Sequence, residues 1–138
     1  MGLMASKDDL LPVLKRAGLR PTRQRLALAG WLFDGANKHV TAEELFVACG
    51  GDGALSLATV YNSLNKFTAA GLLHQVVVDG GRVYFDTNTG VHHHIFDETT
   101  GFLTDIPPMP VNFLGMSDLP AGTILTRVDV VLRVRAVK

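Results

Sequence analysis

The sequence predicts an α+β fold in two parts: an N-terminal winged helix-turn-helix, then a small three-stranded α/β dimerisation domain. Three observations predict it. Apolar residues recur at helical spacing up to about Gly71, each run bounded by a capping residue or a glycine. The pattern then switches to alternation on either side of Asp79-Gly80-Gly81, a hairpin turn by its chemistry. Alternating runs also dominate the second half, where prolines interrupt any long helix.

Each element follows from its residues. "DDLLPVLKRAG" is a short first helix, with Asp8 and Asp9 at its start, Lys15 and Arg16 near its end, and Gly18 to stop it. "RPTRQRLALAGWLFDGANKHV" offers Thr22 as N-cap and an apolar stripe of Leu26, Ala29, Leu32 and Phe33. "HVTAEELFVACGG" carries a capping box, Thr41 with Glu44, and ends at Gly50 and Gly51; His39 falls in the loop before it. "SLATVYNSLNKFTAAGLL" is the clearest helix, capped by Ser56, with Leu57, Val60, Leu64, Phe67 and Gly71 forming a buried seam. "LLHQVVVDGGRVYFD" is the hairpin, or wing. In the second half, "VHHHIFDE", "GFLTDI" and "TILTRVDVVLRVRAV" read as strands, the last with Ile124, Thr126, Val128, Val130, Leu132 and Val134 on one face. "PPMPVNFLGMSDLPAG" has room for one short helix. The expected boundaries are 1–86 for the winged helix, 87–90 for a hinge and 91–138 for the second domain. An open three-stranded sheet leaves edges, and a second copy is the simplest cover for them.

Composition bounds the function. With 138 residues and 47% apolar content, the chain can build a real core. No apolar run reaches the roughly 18 residues of a membrane helix, and the N-terminus reads unlike a signal peptide. Cys49 is the single cysteine, which fits a reducing cytoplasm and excludes a cysteine-bound structural zinc. HExxH helices, Gly-rich phosphate loops and recognisable nucleophile settings are absent from the sequence, so an enzyme has little support.

Net charge is zero, but Lys15, Arg16, Arg20, Arg23 and Arg25 form a basic segment without an acid. Arg23 and Arg25 sit where a helix macrodipole disfavours cations, which an anion such as a phosphate backbone would offset. Arg20 precedes Pro21 and is held extended, as an arm entering a minor groove would be. On the fourth helix, Thr59, Asn62 and Lys66 point opposite the seam, with Tyr61 on the flank: short polar groups that let a helix approach base edges. A solvated basic face is the alternative for the segment alone. Taken with the helix order and wing, the residues point to double-stranded DNA.

"GLRPTRQRLALAGWLF", "KHVTAEELF", "SLATVYNSLNKFTAAGLL" and "GGRVYFDTNTGVHHH" resemble successive blocks of the ferric uptake regulator (Fur) family, from about Gly18 to Asp105. The "GLRPTRQR" start, the "HHH" run and the missing cysteine pairs are most similar to its iron response regulator (Irr) branch. The resemblance implies a cytoplasmic, homodimeric transcription regulator of iron or haem metabolism, acting on AT-rich operator DNA. It implies a minor-groove role for Arg20, a phosphate contact for Arg25 and base reading by Tyr61. It also implies a metal site at the junction of the two domains formed by His39, Asp86, His93 and Asp105. A second site in relatives maps to His92 and His94, but its later ligands meet Asn112 and a hydrophobic strand, with Asp129 the nearby substitute.

Alternation on a strand puts His92 and His94 on one face and His93 on the other, so one run of histidines can serve two sites. Imidazoles with carboxylates suit a borderline divalent ion, Fe²⁺, Mn²⁺ or Zn²⁺. The Irr-like resemblance adds haem, with His92 and His94 as axial ligands. A manganese- or zinc-responsive repressor of the same family is the nearest alternative. A metal- or haem-binding protein or metalloenzyme that does not touch DNA is the alternative of another class.

Overall fold

A computed structural model of the chain describes residues 7–50, 55–78, 81–108 and 119–137. The chain divides into two compact units, Met1–Thr89 and Gly90–Lys138, and is α+β, with its described helices in the first unit and a sheet in each. Gly51, the turn residues Asp79 and Gly80, Asn112 and most of the segment expected to hold a short helix lie outside the described residues.

The N-terminal unit is built by local signals that cap and stop each helix. Helix α1 (Lys7–Arg16) has acids in its first turn and bases in its last; Gly18, at φ +69°, turns the chain out of it. Thr22 caps α2 (Arg23–Leu32), its hydroxyl accepting from Arg25 N at 3.3 Å. The α2 stripe is rotated from the expected one: Leu28, Ala29 and Leu32 are buried, whereas Leu26 and Phe33 are only partly so. Strand β1 (His39–Val40) precedes α3 (Ala42–Ala48), whose capping box is complete. Thr41 Oγ1 accepts from Glu44 N at 3.1 Å, and Glu44 Oε1 accepts from Thr41 N at 3.0 Å. Ser56 caps α4 (Leu57–Ala69), accepting from Thr59 N at 3.0 Å.

Val60, Leu64 and Phe67 of α4 are fully buried among Leu14, Leu28, Leu32 and Leu45, with Phe67 edge-on to Phe33 at 5.4 Å between centroids. Leu57, expected in this seam, is partly exposed. The same face buries Ser63, whose hydroxyl has no hydrogen-bond partner among the described residues. An unsatisfied buried hydroxyl costs about 1–3 kcal/mol, so Ser63→Ala is expected to stabilise the protein by roughly 1 kcal/mol, read as a raised urea midpoint at unchanged slope. A lower midpoint would show that the hydroxyl is satisfied.

The wing is a three-stranded sheet in the order β1-β3-β2, with β2 (His74–Val77) and β3 (Val83–Asp86) antiparallel. His39 was expected in a loop; it lies on β1, paired with Asp86 at the end of β3. Two residues of pairing are too short to leave an alternation in the sequence.

The C-terminal unit holds a second sheet in the order β5-β4-β6. Strands β4 (His93–Asp97) and β5 (Leu103–Ile106) are antiparallel, joined by a tight bend in which Asp97 Oδ1 accepts from Thr99 N at 2.8 Å and Asp97 O from Gly101 N at 2.7 Å. Gly101 sits at φ +79°, which suits a residue without Cβ. Strand β6 (Val131–Val134) runs parallel to β4. The long terminal strand expected from Ile124 is therefore confined to its last part. Among the described residues, 124–130 form no strand of their own, although Val130 O accepts from His94 N at 3.1 Å, and Ile124 is 83% exposed.

Candidate metal centre and nucleic-acid interface

Alternation from His92 into β4 sends His92 and His94 to one face and His93 to the other. The His92 and His94 rings lie edge-on, centroids 4.5 Å apart, and both are buried. The register between β4 and β5 sets Asp105 directly opposite His94, and directly opposed residues share a face. Asp105 Oδ1 consequently lies 3.5 Å from His92 Nε2 and 3.2 Å from His94 Nε2. These three side chains offer ligand atoms within 4.8 Å of one another.

The protonation of His92 can be read from its partners. Its Nδ1 is 2.7 Å from the carbonyl of Gly90, which can only accept, so Nδ1 carries the hydrogen and a neutral ring keeps its lone pair on Nε2. That lone pair faces a carboxylate oxygen. Two acceptors so placed repel unless a proton or a cation sits with them. A histidine that gives its other N–H to a backbone carbonyl is also the usual arrangement of a metal ligand. The donor set thus fits a borderline divalent ion: Fe²⁺, Mn²⁺ or Zn²⁺. Gly90 O accepts a second hydrogen bond from Arg127 Nη2 at 3.3 Å, and Arg127 Nε is held by Asp129 at 2.7 Å.

This geometry groups the side chains differently from the ligand sets implied by resemblance. Asp105 joins His92 and His94 instead of His93, because the register pairs His93 with Ile106. His93 is buried, and its Nδ1 has no hydrogen-bond partner among the described residues. Asp129, expected beside His92 and His94, pairs with Arg127 and is not among the clustered ligands. In the N-terminal unit, His39 and Asp86 are register partners across β1 and β3, and His74 is the partner of Asp86 on β2. His74 shows itself only through strand pairing; nothing in its local sequence singles it out. Asp86 is fully buried and accepts from Asn88 N at 2.8 Å.

The expected DNA-facing residues all lie in the N-terminal unit. Arg20 and Arg23 are exposed, and Arg25 Nη1 donates to Arg20 O at 3.4 Å, tying the arm to the first turn of α2. On α4, Tyr61, Asn62 and Lys66 are exposed, whereas the Thr59 hydroxyl is engaged with Ser56 Oγ at 2.9 Å and half-buried. Tyr61 Oη donates to Glu43 Oε1 at 2.5 Å. The carboxylate is held below its usual range by that hydrogen bond, and the phenol is pushed above its own by the same partner. Burial pushes the Cys49 thiol up, so it favours the protonated form.

Residues 16–112 match the family model described as "Ferric uptake regulator family". The chain belongs to the ferric uptake regulator family. Among curated members, the chain is 33% identical over 99 residues to the peroxide-responsive repressor PerR of Staphylococcus aureus, a match covering 71% of this chain. It spans 66% of that repressor's length. Among solved structures, the Vibrio cholerae ferric uptake regulator superposes with a TM-score of 0.67 at 27% identity, covering 91% of this chain and 98% of that one. The Pseudomonas aeruginosa ferric uptake regulator with manganese gives a TM-score of 0.61 at 30% identity, covering 91% and 96%. Ferric uptake regulator family members regulate transcription, which sets aside the metalloenzyme alternative. No helix among the described residues is long and apolar enough to cross a membrane.

Proposed function

We propose that this chain is a metal-responsive transcription regulator that binds operator DNA through α4 and the Arg20–Arg25 segment, and takes a divalent ion at His92, His94 and Asp105. The observation that carries the proposal is the convergence of two buried Nε2 atoms on one carboxylate oxygen, in a chain of this family. His92, His94 and Asp105 would hold the ion, whose divalent charge would offset that of Asp105. In the N-terminal unit the family resemblance assigns His39 and Asp86, register partners across β1 and β3, as metal ligands as well, and metal uptake is read as altering DNA affinity. A coupling of about 1–3 kcal/mol would shift that affinity by roughly 5–150-fold. The manganese in the solved P. aeruginosa relative supports the choice of ion class.

The active species in this reading is a cytoplasmic homodimer on paired half-sites. Its support is the apolar surface of the C-terminal unit: Ile124, Leu125, Leu132 and Val134 are all exposed in the single chain. The finer placement in the Irr branch, with haem as signal, rests on the "GLRPTRQR" start and the histidine run. The geometry favours a small ion over haem, since both imidazoles are buried with their Nε2 atoms turned onto Asp105.

Fluorescence anisotropy on AT-rich duplex DNA tests the proposal. Mn²⁺ or Zn²⁺ is expected to tighten binding relative to a chelated sample, and Arg25→Ala to weaken binding to all duplexes alike. Metal-independent binding would overturn the metal reading; absence of binding to any duplex would overturn the DNA reading. A saturable Soret shift with haemin, lost in His92→Ala and His94→Ala, would replace the ion with haem.

A further inference from the structure

Glu43 is an exposed acid beside elements that carry none: α4 has no acid, and neither has the stretch from Lys15 to Arg25. Its neighbour Glu44 is occupied by the capping box. Glu43 instead reaches the adjacent helix and accepts the hydrogen of Tyr61, at 2.5 Å. An exposed carboxylate beside a polyanion opposes binding, so a contribution to bulk affinity does not explain it there. Its position in the first turn of α3 gains from the macrodipole, but that gain does not require the contact with Tyr61.

The chemistry of the pair is directional. An ionised carboxylate has no hydrogen to give, so the single proton of the phenol is committed to Glu43. Both perturbations act in that sense, keeping the acid ionised and the phenol protonated near neutrality. What the Tyr61 oxygen retains is lone-pair capacity. In the major groove, donors are the amino groups of adenine and cytosine; guanine O6 and N7 and thymine O4 are acceptors. A free tyrosine hydroxyl could serve either kind, whereas a committed one serves only donors.

We propose that Glu43 is a specificity-setting positioning residue: by holding the Tyr61 proton it makes that hydroxyl an acceptor, which selects an amino-bearing base, adenine or cytosine, where Tyr61 meets the operator. The inference rests on the DNA-binding reading above and deepens it. It also gives the capping turn of α3 a part in sequence choice, through a contact that crosses between the two helices.

Selection from a randomised duplex pool, with the full chain and its bound metal, tests it. The wild-type chain is expected to enrich adenine or cytosine at one position per half-site, by roughly five- to tenfold, the low end for a single hydrogen bond. Glu43→Ala frees the hydroxyl to donate and is expected to admit guanine and thymine there. Tyr61→Phe is expected to lose the preference, and Glu43→Gln to keep it, because the amide carbonyl still accepts the proton. An unchanged preference in Glu43→Ala overturns the proposal. So does a loss in Glu43→Gln as complete as in Glu43→Ala, which would make charge the operative property. A wild-type chain that selects no sequence overturns the DNA-binding reading itself, an outcome distinct from both.

Discussion

Replacing Asp105 with asparagine is expected to lower affinity for Mn²⁺ or Zn²⁺ by at least about 100-fold, since losing groups that merely support metal ligands already costs roughly 10–100-fold. The substitution removes the one anionic oxygen that both His92 Nε2 and His94 Nε2 approach, and turns the charge at that point neutral. It is nearly isosteric, and the Asp105 side chain is 35% exposed, so the sheet has no packing reason to fail. Equilibrium dialysis with elemental analysis reads the affinity, and thermal denaturation of the metal-free chain checks the fold. His94→Ala is expected to give a similar loss of metal. His93→Ala provides the contrast, because its ring lies on the opposite face of β4, with Ile106 and not Asp105 as register partner. If His93→Ala lost the metal and Asp105→Asn kept it, the assignment of ligands to faces would be reversed.

Phe67→Ala is expected to cost about 3–5 kcal/mol, the usual range for emptying an aromatic site in a core. Phe67 is fully buried and edge-on to Phe33, and it anchors the buried face of α4 against the end of α2, whereas Asn62 and Lys66 are exposed. Against a total stability of about 5–15 kcal/mol for a domain, that loss removes a large share. Urea denaturation followed by circular dichroism would show the drop in midpoint. DNA binding should fall with it, because the exposed face of α4 is held in place only through its buried one. A drop below about 1 kcal/mol would mean that the core collapses around the missing ring.

Local signals made most of the N-terminal unit legible in the sequence. Thr41 with Glu44, Ser56 before Leu57 and the Val60-Leu64-Phe67 seam each act within a few residues, and each forms as read. Errors entered where non-local partners decide. On α2 the spacing allowed more than one apolar face, and packing chose Leu28 over Leu26. Strand β1 exists only because β3 is there to pair with it. Alternation from Ile124 to Val134 records an apolar face without saying what covers it, and among the described residues only Val131–Val134 finds a partner strand.

The candidate metal centre divides the same way. The alternation of the three histidines was legible, since it needs nothing beyond strand geometry. The partner of Asp105 was not, because a shift of one residue in pairing moves every side chain of a strand to the other face. Family resemblance supplied the ligand types and the neighbourhood; it set Asp105 with His93 and Asp129 beside His92 and His94, whereas the register sets Asp105 opposite His94 and Asp129 pairs with Arg127.

What fixes that pairing is the bend from Asp97 to Gly101, closed by the Asp97 side chain and main chain. One residue more or fewer there would carry the carboxylate to the wrong side of its sheet with every ligand still present in the sequence. The selectivity of such a centre is thus encoded partly as a count, in a surface loop that touches no ion, and relatives that vary in this loop's length would be changing their coordination chemistry without altering a single donor atom.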